Sequence, residues 1–153
     1  PTKYYDYSTK NIKEIFSMFN NLLEKHDFQL VVIPSMRTPT STIHYAKKFF
    51  GENQTIIMNV DKKAYLSALA ISENIVVTCD SSSMISEAAL TGKPIYVANI
   101  LPKKNDKRFQ RFRNLFRELN ITRNLGEEVE IWNYEKLNET NRVANIIKEK
   151  INS

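Results

Sequence analysis

Read from its amino terminus, the chain places Ile12, Ile15, Phe16, Phe19, Leu22 and Leu23 at intervals of three and four behind Ser8 and Thr9. That spacing lines one face of a helix over about 8–25, with Ser8 or Thr9 as its N-cap. The next apolar run, Leu30-Val31-Val32-Ile33, has no polar alternation and is closed by Pro34 and Ser35. It predicts a short strand buried on both faces. The period then keeps switching. Helical spacing over 40–50 ends at Gly51 and gives way to Thr55-Ile56-Ile57-Met58. A helix over 61–71 leads to Ile75-Val76-Val77-Thr78, and one over 82–90, stopped by Gly92, leads to Pro94-Ile95-Tyr96-Val97-Ala98. Four apolar strands alternating with helices at about 20-residue spacing imply βαβ crossovers. The expected class is α/β: a doubly wound parallel sheet with helices on both faces. Further on, Phe109, Phe112, Phe116 and Leu119 mark a helix over 106–119, and Val143, Ile146 and Ile147 mark another over 138–151. Between these, Trp132 and Tyr134 are expected to pin an irregular segment to the body.

Composition changes this picture little. With 153 residues, 42% of them hydrophobic, the chain can bury a core without metal or disulfide, and no repeat or linker divides it. Residues 1–153 therefore read as a single domain. The one cysteine, Cys79, cannot form an internal bridge, which favours a reducing, cytoplasmic setting. No apolar run approaches the ~20 residues needed to span a bilayer. The opening Pro1-Thr2-Lys3-Tyr4-Tyr5 has neither an initiator Met nor the features of a signal peptide, so sequence upstream of Pro1 is expected. A formal charge of +5 permits an anionic partner without identifying one.

In an open α/β sheet, ligands sit beyond the carboxyl ends of the strands, so the strand-to-helix turns carry the candidate chemistry. One turn stands apart: Thr78-Cys79-Asp80 runs into Ser81-Ser82-Ser83 where a helix begins. Free N–H groups and the positive helix end make an anion site there, and small hydroxyl side chains add donors without blocking a phosphate. Glu87 returns to about the same face a turn or more later, placed to accept bonds from a pair of sugar hydroxyls. Ordinary N-capping accounts for the same serines, and the helix dipole for an early Glu. Neither a GxGxxG nor a Walker motif occurs, which argues against a standard dinucleotide fold or P-loop NTPase.

The run from Asp80 to Val97, Asp-Ser-Ser-Ser-Met-Ile-Ser-Glu-Ala-Ala-Leu-Thr-Gly-Lys-Pro-Ile-Tyr-Val, resembles the signature of the elongated-mitochondria (mitochondrial fission) family and its glycosyltransferase-like bacterial relatives. Ser35-Met36-Arg37-Thr38-Pro39 resembles the family's Ser-Arg-Arg-Thr-Pro turn. The stretch from Arg108 to Arg123 resembles its Arg-Phe region, and Leu137-Asn138-Glu139-Thr140 the start of its final helix. More distantly, the serine turn is similar to that of UDP-N-acetylglucosamine 2-epimerases and GT-B glycosyltransferases.

The resemblance implies the Rossmann-like C-terminal half of a GT-B fold. Ser81, Ser82, Ser83 and Arg37 would then bind phosphate and Glu87 ribose, with Asp80, Met84 and Tyr65 bordering the pocket. It also implies a nucleotide sugar, such as a UDP-sugar, as substrate, with no metal and no separate cofactor. The chain departs from the family at Lys62-Lys63-Ala64-Tyr65, where only Tyr65 of an Asn-Pro-Tyr turn is kept, and at Arg37, the one guanidinium left in its turn. Pro1-Thr2-Lys3-Tyr4 resembles the tail of a Gly-Gly-Pro-Ser-Lys loop. By that likeness a first strand and an N-terminal acceptor domain precede it, the catalytic base lies there, and the missing strand leaves a sheet edge to be covered by that domain or by a second copy in a homodimer. The family's plant members recruit division machinery in mitochondrial fission, so a non-catalytic scaffold is the competing expectation.

Lys103 to Arg113 packs six basic residues into eleven with Phe109 and Phe112 interleaved. The phenylalanines share the core side of the predicted helix, leaving the charges as a solvated face. That disfavours nucleic acid and leaves contact with a membrane surface or a glycan acceptor, hence a peripheral membrane location, as the functional option. His26 and His44 lie far from each other and from Cys79 in sequence, so no metal-ligand spacing is present. Cys79 itself reads as a small buried hydrophobe.

Overall fold

Every side chain of Ile95–Ala98 is buried, and the rest of the fold is arranged around that strand. The computed structural model describes residues 4–126 together with Glu130, Trp132 and Tyr134. In chain order the elements are α1 (Thr9–Lys25), β1 (Val31–Val32), α2 (Thr40–Phe50), β2 (Thr55–Ile56), α3 (Lys62–Ile71), β3 (Ile75–Thr78), α4 (Ser82–Ala89), β4 (Ile95–Ala98), α5 (Lys107–Glu118) and β5 (Thr122–Asn124). All strand pairs among them are parallel, which makes the protein an α/β, Rossmann-like domain. The helix expected over 138–151 lies outside the described residues.

The strands form two ladders. β1 pairs with β2, Val31 opposite Thr55, and β4 lies between β3 and β5, with Ile75 opposite Ile95 and Ile95 opposite Thr122. The expectation that Leu30 to Ile33 is buried on both faces is corrected here: only Val31 and Val32 form the strand, and Val31 is 44% exposed. The cause is pairing on one side only, because β1 is hydrogen-bonded to β2 and not to β3. The apolar run instead borders a cavity of about 620 Å3 lying between the two ladders.

Packing follows the sequence periods elsewhere. Ile12, Ile15, Phe16 and Leu22 are the buried positions of α1, and Phe16 meets Phe50 of α2 with ring centroids 5.1 Å apart. On α5, Phe116 is wholly buried, while Phe109 and Phe112 are half-buried against the core. Asp61 caps α3 through Oδ1, which accepts from the Ala64 N–H at 3.1 Å. Gly51 ends α2 at φ 66°, and Gly92 turns the chain from α4 toward β4 at φ 73°. In that left-handed region a side chain would clash with its own backbone, so glycine is the natural residue at both stops. β5 reads Thr-Arg-Asn and carries no apolar signal of its own. It is held by β4, by buried Ile121 beside it, and by Trp132, whose Nε1 donates to the Asn120 carbonyl at 2.9 Å. Trp132 also meets the Tyr96 ring edge-on at 5.2 Å, and the Tyr134 hydroxyl donates to the Lys93 carbonyl, so both aromatics anchor their segment as expected.

A buried polar cluster ties the start of the described chain to α5. Tyr5, 1% exposed, donates its hydroxyl to Asp106 Oδ2 at 3.0 Å. Arg113 donates through Nη2 to the same oxygen at 3.2 Å and through Nη1 to the Tyr5 hydroxyl and the Cys79 carbonyl. Backbone bonds from Asp6 N to Leu101 O and from Lys103 N to Tyr4 O seat residues 4–6 just beyond the carboxyl end of β4.

Candidate functional site

β3 ends at Thr78, and the turn Cys79-Asp80-Ser81 delivers the chain into α4. Ser81 stands at the N-cap, but its side chain makes no capping bond to the helix. Its hydroxyl instead lies 3.3 Å from that of Thr78, sharing a hydrogen bond with it. Ordinary capping is therefore not how this serine is used. The first-turn N–H groups of α4 have no carbonyl one turn earlier within the helix, as at any helix start. Ser82 is half-buried and Ser83 exposed in the first turn of the helix. Behind the turn, Ile85, Ala88 and Ala89 are buried and fix the axis of α4 against the core.

Two phenols meet the site from distant parts of the chain. Tyr65, in the first turns of α3, donates to Glu87 Oε2, joining the loop side of α3 to the exposed face of α4. Tyr7 donates to Asp80 Oδ2 at 2.7 Å, while Asp80 Oδ1 is buried with no partner among the described residues. Burial, reinforced by the neighbouring carboxylate, drives both phenols well above the usual tyrosine range. Each consequently stays protonated and acts as a donor over the whole neutral range. A carboxylate accepts at about four lone-pair positions, so one bond from Tyr65 leaves Glu87 able to take two hydroxyl donors more.

Of the residues expected to form the site, Ser81, Met84 and Tyr65 line the 620 Å3 cavity, as do Ser35, Thr38 and Thr78, which the sequence reading did not single out for it. Ser82, Ser83, Glu87 and Asp80 sit on the same turn and helix as Ser81. Arg37 is exposed on the loop after β1 and is not among the cavity residues; its backbone N–H is bonded to Ser35 Oγ at 3.3 Å. Tyr7 carried no sequence signal, because its partner lies 73 residues away. Lys93, just after the Gly92 stop, donates to the Leu69 and Ala70 carbonyls at 2.6 and 2.7 Å and caps the C-terminus of α3.

Other candidates resolve into structural parts. In the basic stretch Lys103, Lys104, Lys107, Arg108 and Arg111 are exposed, whereas Arg113 is turned inward and ion-paired with Asp106 at 3.2 Å. His26 ends α1 and stacks on Phe28 at 5.0 Å; His44 is exposed. Cys79 is 1% exposed and receives the Ile100 N–H on its sulfur at 3.3 Å. Burial pushes its thiol up, so little thiolate forms near neutrality. Alkylation by iodoacetamide is expected to be at least about 100-fold slower in the native chain than in urea, because reaction waits on opening of the fold. Equal rates in a mass-spectrometric time course would show that the thiol is accessible. No helix among the described residues is long and apolar enough to cross a membrane.

Comparison with known proteins agrees with the motif reading. The family described as Mitochondrial fission ELM1 matches residues 1–151. The chain is 31% identical over 122 residues to the mitochondrial fission protein ELM1 of Arabidopsis thaliana, covering 76% of this chain and 28% of that protein. It is 32% identical over 143 residues to the uncharacterized protein RP120 of Rickettsia prowazekii (strain Madrid E), covering 86% of this chain and 39% of that one. The chain thus spans well under half the length of these curated relatives. No solved structure matches it significantly.

Proposed function

The chain belongs to the mitochondrial fission ELM1 family, and on that premise we propose that it binds a nucleotide sugar, as the donor half of a glycosyltransferase whose acceptor side lies in another domain. The single observation that carries the reading is the β3–α4 turn: an uncapped, serine-lined helix start with Glu87 presented further along the same helix. The pyrophosphate would lie against Ser81, Ser82 and Ser83 and the first N–H groups of α4, where the helix dipole favours negative charge. Glu87, oriented by Tyr65, would receive the ribose hydroxyls. When the glycosidic bond to the sugar breaks, the negative charge that develops on the departing nucleoside diphosphate falls on those donors, with Arg37 as the available cation on the neighbouring loop. The base that deprotonates the acceptor is assigned to the other domain, so this chain alone is expected to bind without turnover.

The ribose assignment has a direct test. In calorimetric titrations the chain is expected to prefer UDP over 2′-deoxy-UDP by about 10-fold, the scale of one hydrogen bond to a charged acceptor. Glu87→Ala should erase that preference, and Tyr65→Phe should reduce it while leaving phosphate contacts intact. Discrimination that persists in Glu87→Ala would remove Glu87 from the ribose site. A second reading follows from the plant relative, a mitochondrial fission protein: the domain serves as a non-catalytic scaffold in organelle division. That reading requires no affinity for nucleotide at the serine turn, so the same titrations separate the two.

A further inference from the structure

Where α5 crosses β4 and β5, one of its faces is polar instead of apolar. Gln110, Arg113, Asn114 and Arg117 recur at intervals of three and four, so they share a side of the helix distinct from the Phe109, Phe112 and Phe116 stripe. They meet Asn99, just past β4, and Asn124, the last residue of β5, around an open cleft of about 170 Å3. Among the described residues no carboxylate lines it, and Val97 is the one apolar side chain there. Arg117 Nη2 donates to Asn114 Oδ1 at 2.9 Å, and Asn99 Nδ2 donates to Asn124 Oδ1 at 3.2 Å. Both bonds occupy amide oxygens and leave the Nδ2 groups of Asn114 and Asn124 without an acceptor among the described residues. Arg113 spends Nη1 on the Tyr5 hydroxyl and the Cys79 carbonyl and one Nη2–H on Asp106, which leaves its Nε–H and a second Nη2–H. Asp106 is thereby neutralised by Arg113. Arg117, bonded to no carboxylate among the described residues, is left as the net positive charge of the cleft.

We propose that this cleft binds one phosphate group, either free or as the ester of a small soluble molecule. The donor set is the first reason: two guanidinium groups and side-chain amides, with the amide oxygens largely committed, suit a ligand whose oxygens only accept. Shape is the second. Donors come from the helix on one side and from the two strand ends on the other, so the ligand must offer oxygens in opposed directions, as a tetrahedral group does and a planar carboxylate does not. Size is the third. At about 170 Å3 the cleft is smaller than the ~300–1,000 Å3 of sites that enclose drug-sized ligands, so it takes the charged group and not a whole nucleotide. The cleft lies at the carboxyl ends of β4 and β5, whereas the serine turn follows β3, and the inference does not rest on the nucleotide reading.

The test is a titration of the chain with potassium phosphate and, separately, with glycerol 3-phosphate, each against sodium chloride of equal ionic strength, read from backbone and side-chain amide shifts. Saturable shifts are expected at the side-chain amides of Asn99, Asn114 and Asn124 and at Arg117 Nε–H. Arg117→Ala, an exposed position, should weaken binding by about 10-fold or more, the scale of a hydrogen bond to a charged group. Asn124→Asp, which puts a carboxylate on the strand side, should abolish saturation at an unchanged unfolding midpoint. Ser83→Asp, which charges the serine turn, should leave the cleft shifts as they are. Equal affinity for the two ligands assigns the cleft to free phosphate, and tighter binding of glycerol 3-phosphate assigns it to an ester; both support the proposal. Shifts reproduced by sodium chloride, parent affinity in Arg117→Ala, or acetate bound as tightly as phosphate would overturn it, as would the absence of any shift at these groups in a folded sample.

Discussion

Asp106→Ala is expected to destabilise the chain by about 3–5 kcal/mol, the range for removing one partner of a buried ion pair. For a domain of this size that lowers the midpoint of thermal unfolding by roughly 6–20 °C. Asp106 is 5% exposed, and its carboxylate receives Tyr5, Arg113 and Gln110. Without it the Arg113 guanidinium stays in a largely enclosed site with only the Tyr5 hydroxyl and the Cys79 carbonyl for company, and Tyr5 loses its acceptor. The cost is that of the unpaired charge rather than the worth of the pair. The double replacement Asp106→Leu with Arg113→Met, which removes both charges, should therefore recover most of the loss. Urea unfolding followed by circular dichroism measures both, and an unchanged midpoint in Asp106→Ala would show that the cluster contributes nothing to stability. The same variant should loosen residues 4–6, which are seated beside this cluster.

Ser83→Asp is expected to separate stability from binding. Ser83 is exposed in the first turn of α4, where a carboxylate complements the helix dipole and should raise stability by about 0.3–1 kcal/mol. The same charge stands where the pyrophosphate is proposed to lie. Two like charges about 4 Å apart repel by about 4 kcal/mol at the effective dielectric of a protein surface, which weakens UDP binding by several hundred-fold. The expected pair of results is an unfolding midpoint slightly raised and a UDP titration that no longer saturates. A variant that is stabilised and still binds UDP with parent affinity would place the phosphates elsewhere.

Local regularities made much of this fold legible before any coordinates. The three-and-four spacing of Ile12, Ile15 and Phe16, the helical face of Phe109, Phe112 and Phe116, and the glycine stops at 51 and 92 each depend on neighbours in sequence, and the structure has them where they were expected. The serine turn was legible for the same reason, since a strand end, three hydroxyls and a helix start are adjacent. What stayed hidden is non-local. β5 is polar in sequence and is made a strand by β4 and by the anchors on either side of it. Tyr7 bonded to Asp80 and Tyr65 bonded to Glu87 bridge 73 and 22 positions, which no periodicity encodes. Val31 is 44% exposed although its run is apolar, because β1 is paired with β2 alone and pairing is set by strands distant in sequence.

The most direct test of the proposed donor site is an amide-shift titration of the folded chain with UDP-N-acetylglucosamine and UDP, with ADP for comparison and Glu87→Ala alongside. The account predicts saturable shifts centred on Ser81 to Glu87, stronger for the uridine nucleotides than for ADP and lost in Glu87→Ala. Millimolar ligand that moves no resonance in a well-folded sample would contradict it, and would leave the scaffold reading as the one to pursue.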